Sequence, residues 1–94
     1  MEEYEYGHLA VSLAGHDKNN YYVIIRSDKE YVYLVDGKNR TLSKPKKKKK
    51  KHIRITNYIE DNLLIKQEKH MLMDSDIRRA VKQLAALYNI EASH

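Results

Sequence analysis

The feature that most constrains this chain is an internal run of lysines. Seven of the eight residues from position 44 to position 51 are Lys, and Arg54 follows closely. Ammonium groups at this density repel one another, so the segment is not expected to pack unless a counter-charge is supplied. The net charge is −2 over residues 1–43, +8 over residues 44–54 and −1 over residues 55–94, against +5 for all 94 residues. The excess positive charge therefore belongs to one segment, which points to a local anion-binding feature.

The part of the chain before the lysine run has the pattern of short β-strands. Residues 9–13 alternate between large apolar and small side chains, which predicts a half-buried strand. Residues 21–26 and 31–35 are rich in β-branched and aromatic side chains, which predicts two more strands. An Asp-Gly pair at residues 36–37 indicates a tight turn, and a short fourth strand is expected near residues 40–42.

The part after the run predicts a final strand and two helices. Residues 53–56 alternate like the end of a strand, and residues 57–68 are expected to form a short helix. Residues 75–89 carry one apolar stripe at steps of three and four residues, which predicts an amphipathic helix with Asp74 or Ser75 as its N-cap. The stripe consists of Ile77, Ala80, Val81, Leu84, Leu87 and Tyr88.

The spacing of the short strands suggests a small curled or closed sheet. The strand-rich part, about 45 residues, buries only a thin core, so a helix is expected to cover one opening or one face of it. We therefore predict a mainly β fold with a C-terminal helix. The expected domains are a barrel over residues 1–56, including a basic loop at residues 44–54, and a helical extension over residues 57–94 that packs on the barrel.

Several classes of protein do not fit this sequence. It has no Cys, so neither a disulfide nor a thiolate metal site is expected. No unbroken apolar run exceeds five residues, the length reached at 21–25, whereas a membrane span needs roughly 20. Residues 2–5 are acidic where a signal peptide is basic, so a cytoplasmic location is expected. The five His are not paired at metal-ligand spacing, and we find no nucleophile motif or Gly-rich phosphate loop. No enzyme activity, cofactor, metal or small-molecule substrate is therefore predicted.

The lysine run has two interpretations at this point. A polyphosphate backbone would supply its counter-charge and would release condensed counterions on binding. Lysine is a hydrated point charge on a flexible stem, which suits contacts to phosphates more than the readout of bases. The alternative is a solvated loop, a nuclear import signal or a non-specific polyanion patch. Pro45 fixes φ at the entrance of the run, so the run is expected to leave the fourth strand in a defined direction.

Other polar and aromatic residues offer weaker signals. In the turn at residues 14–20, Gly15 permits a backbone conformation that other residues resist, and residues 18–20 offer donors to phosphate, sugar or base edges. The alternative for this turn is a polar hairpin. Arg40 would reach a phosphate or pair with Asp36. The strand tyrosines would stack on bases or fill the core, and they are Tyr21, Tyr22, Tyr31 and Tyr33.

Three sequence motifs, taken in order, carry a family resemblance. Residues 11–18 read VSLAGHDK, residues 35–40 read VDGKNR, and residues 44–53 run from KPKKK to KHI. In this combination they resemble the KOW-domain RNA-binding proteins, above all the small bacterial group related to large-subunit ribosomal proteins of archaea and eukaryotes. The resemblance covers about residues 7–54, and residues 74–84 resemble the C-terminal helix of the same group.

This resemblance implies an SH3-like small β-barrel with one or two α-helices, binding to structured RNA, and a link to translation. It places Gly15 at the near-invariant glycine of the family. Two departures concern the same turn: His16 stands where the group usually has Arg, and Asn at positions 19 and 20 replaces a commoner Lys-Gly pair. Both lower the positive charge of the turn, so the expected RNA contact shifts toward the lysine run.

The sequence thus predicts a non-enzymatic RNA-binding protein associated with the ribosome or with translation. Its expected partners are RNA, in the first place ribosomal RNA, and ribosomal proteins. The alternative is a protein-interaction module that binds a ribosomal or transcription-complex protein through the same barrel, and DNA binding is a lesser alternative. The C-terminal helix would seal the barrel or offer Arg78, Arg79 and Lys82 to the same RNA. The predicted RNA-binding residues are Gly15, His16, Lys18, Asn19, Arg40, Lys44, Lys46, Lys47, Lys48, Lys49, Lys50, Lys51, His52 and Arg54.

Overall fold

The described part of the chain folds into one five-stranded antiparallel sheet with two helices. A computed structural model describes residues 6–92. In chain order the elements are β1 (His8–Ser12), β2 (Tyr21–Ser27), β3 (Tyr31–Val35), β4 (Lys46–Lys49), a 3-10 turn (Lys50–His52), β5 (Ile53–Ile59), α1 (Asp61–Glu68) and α2 (Asp74–Ala92). The strands lie in the order β4-β3-β2-β1-β5, and each neighbouring pair is antiparallel. The fold is therefore mainly β with a C-terminal helix, which confirms the predicted class at that level.

The sheet is curled, because the strands at its two ends are consecutive in the chain. Neighbouring strands lie about 4.8 Å apart, so a flat sheet would separate β4 from β5 by about 19 Å. The 3-10 turn that joins them has three residues, and such a turn rises by only about 2 Å per residue. The Leu13 amide donates to the His52 carbonyl and the Lys50 amide donates to the Glu30 carbonyl, each at 2.8 Å, which fixes the turn on both sides. The sheet therefore bends until the end of β4 approaches the start of β5.

Alternation along the strands creates two buried layers, one on each face of the sheet. On β2, Tyr22 and Ile24 belong to one layer, while Val23 between them belongs to the other. The inner layer contains strand residues only, so the curl of the sheet itself encloses it. It consists of Ala10, Tyr22, Ile24, Val32, Leu34 and Ile53. The outer layer joins the sheet to the helices and consists of Val23, Val35, Leu63, Ile77 and Ala80.

The first turn of α2 docks on the connection that follows β3. Gly37 has a φ of +80°, and a Cβ atom at this position would lie 2.4 Å from the carbonyl oxygen of Asp74. Arg78 Nη1 donates to the Gly37 carbonyl at 2.8 Å, and the Leu42 amide donates to Asp74 Oδ1 at 2.8 Å. Glycine at position 37 therefore serves both the backbone turn and the close approach of the helix.

The cap of α2 differs from the prediction. Asp74 and Ser75 lie inside the helix, so neither is its N-cap residue. The buried carboxylate of Asp76 instead reaches back and accepts from the Met73 amide at 2.9 Å, and it also accepts from Lys66 Nζ at 2.6 Å. The hydrogen bond from Lys66 lowers the pKa of Asp76. The acid thus supports the positive end of the helix and ties it to α1.

The lysine run is the largest departure from the predicted fold. The prediction of a fourth strand near residues 40–42 is wrong, because that stretch forms only an isolated bridge from Thr41 to Lys44. The prediction of a basic loop at residues 44–54 is also wrong. Its lysines themselves form β4 and the 3-10 turn, and the strand β5 starts at Ile53.

The other elements follow the prediction with shifted ends. The strands predicted at residues 9–13, 21–26 and 31–35 and the helix predicted at residues 75–89 are confirmed. The last strand extends to Ile59, so α1 begins only after it. The predicted domain limits and the acidic start reach into residues 1–5 and 93–94, which lie outside the described residues.

Candidate nucleic-acid interface

The lysines of β4 project alternately from the two faces of the sheet. Lys46 and Lys48 pair in register with β3 residues of the inner layer, whereas Lys47 and Lys49 pair with the half-buried tyrosines of the same strand. Directly paired residues of an antiparallel ladder share a face. Two ammonium groups therefore lie over the inner layer, and the other two lie on the outer face.

Asp17 supplies the counter-charge for the inward pair. Lys48 Nζ donates to Asp17 Oδ1 and to the Ala14 carbonyl, each at 2.8 Å, and Lys46 Nζ lies 3.7 Å from Asp17 Oδ2. Ser12 Oγ donates to Asp17 Oδ1 at 2.8 Å. The side chains of Lys48 and Asp17 are only 10% and 12% exposed. The run is able to pack because this acid, 31 residues away from Lys48 in the chain, pairs with Lys48 and reduces the repulsion between the two inward lysines.

The ionisation of Asp17 reports this arrangement. Burial by itself would raise the pKa of Asp17. Hydrogen bonds from Lys48 and Ser12 and the charges of Lys48 and Lys46 outweigh burial and lower the pKa to about 2. The carboxylate is therefore ionised throughout the range in which the protein is expected to work, and it holds Lys48 as a structural cation.

The turn between β1 and β2 is fixed against β4 by this contact. Gly15 has a φ of +88°, and a Cβ atom there would lie 3.4 Å from Lys48 Nζ and 3.5 Å from Asp17 Oδ1. The Asn19 amide donates to the Ser12 carbonyl at 2.8 Å, which closes the turn, and Asn19 itself has a φ of +72°. The turn is therefore a rigid element, and its exposed side chains are held in place relative to the lysine strand.

The outer face of β3 and β4 alternates cations with aromatic rings. Lys47 Nζ lies 4.4 Å from the centre of the Tyr31 ring, and the Arg26 guanidinium lies 4.1 Å from the centre of the Tyr33 ring. Both distances are within the range of cation–π attraction. The rings hold the two charged heads at the surface, and the faces of the rings that they cover are occupied.

The lysines that follow Lys47 complete this surface. Lys49 and Lys51 are exposed, and Lys50 is half-buried. In the described part of the chain, none of these ammonium groups lies within 4 Å of a carboxylate oxygen. The acids of the adjoining hairpin are Asp28 and Glu30. The pKa of Asp28 is lowered first by the hydrogen bond from the Tyr31 amide and also by the charges of nearby lysines, and Glu30 lines a pocket together with Lys49, Lys50 and Lys51. The surface thus carries a net positive charge that is open to solvent.

Several predicted site residues lie apart from this surface. Arg54 Nη1 donates to Tyr88 Oη at 3.3 Å, so it takes part in the packing of α2 on β5. The Arg40 amide donates to Asp36 Oδ1 at 2.9 Å, and its side chain is exposed. Arg79 pairs with the buried Asp76 at 3.2 Å. Asp36 is therefore the hydrogen-bond partner of the Arg40 amide, while among residues 6–92 the structure assigns no partner to the Arg40 side chain. The side chains of Arg54 and Arg79 contact other residues of the fold.

The remaining predicted residues lie on three segments beside β4: the turn between β1 and β2, the connection that leads into β4, and the 3-10 turn. His16, Lys18 and Asn19 are exposed in the turn between β1 and β2. Lys44 is exposed at the entrance to β4, where its amide donates to the Thr41 carbonyl at 2.9 Å. His52 is half-buried, and its carbonyl accepts the hydrogen bond from Leu13 described above. These residues lie on the segments that lead into and out of β4 and on the turn that Asp17 fixes against it.

A groove brings three separate segments together beside the rigid turn. It has a volume of about 610 Å³ and lies between the turn that contains Asn19, the connection after β3, and α2. Lys38 and Asn39 come from the connection, and Arg78 and Lys82 come from α2. Arg78 and Lys82, two of the three helix cations predicted to face RNA, therefore line the same groove as Asn19 of the predicted turn. The groove is lined by Asn19, Asn20, Tyr21, Asp36, Lys38, Asn39, Arg78, Val81 and Lys82.

Sequence reasoning missed the residue that organises the site, the groove residues Lys38 and Asn39, and the fact that the groove residues lie together. Asp17 lies within the VSLAGHDK motif and accepts from Ser12 of the same motif, but Lys48, its ionic partner, is 31 residues away in the chain. Lys38 and Asn39 follow the Asp-Gly pair at residues 36–37, and that pair predicts a tight turn but gives no sign that the next two residues line a groove. The one available signal for Asp17 was the electrostatic requirement for an acid near the lysines.

The described residues show neither a metal site nor a membrane-spanning helix. Across residues 6–92, no three His, Asp or Glu side chains are grouped so as to hold a metal ion. Neither described helix has the length and apolar character needed to cross a membrane. No protein-family model matches the sequence, and a search of curated proteins finds no significant match.

Proposed function

We propose that this protein is a non-enzymatic RNA-binding protein that contacts the RNA backbone through the outer face of β4 and the 3-10 turn. The observation that carries the proposal is the ordered row of ammonium groups described above. Lys47, Lys49 and Lys51 are exposed and have no carboxylate within 4 Å among the described residues, while the two inward lysines share the carboxylate of Asp17. A polyphosphate chain is the ligand whose regularly spaced negative charges best match such a row of ammonium groups.

The rigidity of the strand favours this interaction. Successive outward residues of a strand are about 6.7 Å apart, and the backbone that carries them is already ordered. Binding then requires the loss of side-chain freedom only, which for a lysine is about 2 kcal/mol or less. A disordered lysine loop would lose backbone freedom as well. The folded strand therefore binds with a smaller entropic penalty than the loop that the sequence predicts.

The fold supports the barrel and the family prediction without identifying either. The strand order and the short 3-10 connection are what a closed SH3-like barrel requires, and the two domains predicted from the sequence would then be the barrel and its helical cover. The motifs that carry the KOW resemblance also meet in space: Ser12, Gly15 and Asp17 come from the first motif, and Lys48 comes from the third. We propose membership of the KOW group, a cytoplasmic location and a role in translation on these grounds.

The test compares two variants of equal net charge. Lys49→Gln/Lys51→Gln removes two outward charges, and the control Asn62→Asp/Lys69→Gln changes the net charge by the same amount at exposed positions of α1 and its end. Each phosphate contact on a single strand contributes about 0.7 to the salt slope, so the first variant should lower the slope by about 1.4 and weaken binding about 25-fold near 0.1 M salt. Fluorescence anisotropy with a labelled ribosomal RNA fragment measures both quantities. Equal losses in the two variants would show that only the net charge matters, and the assignment of β4 would be wrong.

Competition separates RNA from the alternative partners. A duplex DNA that displaces the labelled RNA as well as unlabelled RNA does would refute RNA as the ligand. If the protein binds neither nucleic acid in dilute buffer, the proposal fails and the protein-interaction alternative takes its place. Sedimentation of a cell extract tests the link to translation: the protein should travel with ribosomal particles at low salt and leave them as the salt concentration rises.

A further inference from the structure

The groove between the turn and α2 differs chemically from the β4 surface. Lysine dominates β4, whereas the groove combines three cations with three Asn side chains and one aromatic ring. Its volume of about 610 Å³ falls within the range of about 300–1,000 Å³ that is typical of ligand sites. A surface that binds phosphates alone has no use for amide groups that both donate and accept. The composition of the groove therefore points to a ligand with a charged part and a hydrogen-bonding edge.

The cations of the groove are available to a ligand. The single carboxylate on its wall belongs to Asp36, which accepts from the Lys38 and Arg40 amides at 2.8 and 2.9 Å and is thereby committed to the turn. Arg78 donates one N–H to Gly37, and a guanidinium has five N–H donors. Lys38 and Lys82 are exposed. Three positive charges thus converge on the groove against one carboxylate that is already hydrogen-bonded.

The remaining walls suit a nucleobase. Asn19 and Asn39 each carry an amide, which matches the mixed donors and acceptors of a base edge, whereas the side chain of Asn20 is hydrogen-bonded to Tyr22. Tyr21 lines the groove, and its hydroxyl donates to Asn89 Oδ1 at 2.8 Å, which fixes the ring in place. Val81 adds an apolar surface. Aromatic and apolar side chains are the surfaces on which unstacked bases lie.

The walls are fixed before any ligand binds. The turn that carries Asn19 is held by the contacts of Asp17 with Lys48 and Ser12. The connection that carries Asn39 is held to α2 through Gly37, at the tight approach that a side chain would block. A preorganised site loses little conformational entropy on binding, and such sites discriminate between ligands well.

We propose that this groove binds one unpaired nucleotide of an RNA strand. Lys38, Arg78 and Lys82 hold its phosphate, and the Asn amides contact the edge of its base. The inference rests on the proposed function and deepens it, because it divides the work between two surfaces. The β4 face contacts phosphates of any sequence, whereas the groove accepts only a base that has left the helical stack. The protein should therefore prefer RNA with unpaired nucleotides to a perfect duplex.

The test uses two RNA probes with the same number of phosphates, a hairpin with an unpaired loop and a blunt duplex, and four proteins. Wild type should bind the hairpin at least about fivefold more tightly, since one good base-edge contact is worth that much. Asn39→Ala should lose this preference and keep the affinity for the duplex, because Asn39 is exposed in the connection and carries no charge. The control Asn62→Ala removes an exposed amide from α1 and should behave as wild type. Lys82→Gln should weaken binding of the hairpin more than binding of the duplex.

Each other outcome identifies what is wrong. If wild type binds hairpin and duplex equally, the groove inference is overturned and the proposed RNA binding by β4 stands. An equal loss for both probes in Asn39→Ala would overturn the groove inference in the same way. If wild type binds neither probe, both proposals are overturned. A free nucleoside monophosphate that binds as tightly as the hairpin would make the groove a site for a small molecule and would overturn the assignment of an RNA strand.

Discussion

The substitution Asp17→Asn tests whether one acid keeps the lysine strand folded. In the folded protein the pKa of Asp17 is lowered from 3.8 to about 2. A full shift of this size corresponds to roughly 2.4 kcal/mol of stability at neutral pH. Solvent screens ion pairs near the surface, and the Asp17 side chain is 12% exposed, so we expect a loss of about 1–2 kcal/mol. In a domain of this size, each kcal/mol lowers Tm by about 4–8 °C.

The pH dependence distinguishes this mechanism from a loss of packing. An acid whose pKa is lowered by folding stabilises the protein above its unfolded pKa, and the stabilisation disappears as the pH falls through the folded pKa. The stability difference between wild type and Asp17→Asn should therefore be constant near neutral pH and shrink between about pH 4 and pH 2. Urea denaturation followed by circular dichroism at a series of pH values measures it, with the exposed Glu68→Gln as control.

Two results would contradict the reasoning. A difference between wild type and Asp17→Asn that stays the same down to pH 2 would mean that the charge of Asp17 is irrelevant and only its shape matters. A difference no larger than that of Glu68→Gln at neutral pH would mean that the lysine strand folds without its counter-charge.

Two further predictions concern stability. Gly37→Ala should lower the free energy of unfolding by at least about 2 kcal/mol, because the positive φ costs roughly 1 kcal/mol and the added Cβ would meet the Asp74 carbonyl at 2.4 Å. Gly15→Ala should lower it less, because Gly15 has a similar φ but only side-chain ends nearby. Equal losses in thermal unfolding would show that the contact with the helix is unimportant. Lys48→Gln should lower Tm while Lys49→Gln leaves it nearly unchanged, since only the former donates to Asp17; the same Tm for both variants would contradict the division of β4 into two faces.

The elements that depend on local pattern could be predicted from the sequence. The alternation at residues 9–13 and the three-and-four spacing around Ile77 and Ala80 arise because each element buries one face or stripe. Their ends were less accurate. The predicted N-cap of α2 was wrong because the carboxylate that accepts from the Met73 amide belongs to Asp76, which lies within the helix instead of preceding it.

The elements that depend on distant charges could not be predicted. From the sequence alone, the lysines repel one another, and a loop is the expected result. The strand forms because Asp17 and the Ala14 carbonyl, both in the turn between β1 and β2, receive the ammonium group of Lys48. The groove was missed for the same reason: Asn39 and Lys82 come together only when α2 docks on Gly37.

The position of β4 in the sheet has a consequence for self-association. Among the described strands β4 pairs only with β3, and an open strand edge is a template on which another copy of a protein can add a strand. Lysines guard such edges, because two of them facing each other would bring like charges together. A bound polyanion would cancel this repulsion, so the edge would no longer be protected against the addition of a strand from another copy. Aggregation of this protein should therefore peak where the polyanion charge just matches the lysine charge, and recede when either is in excess.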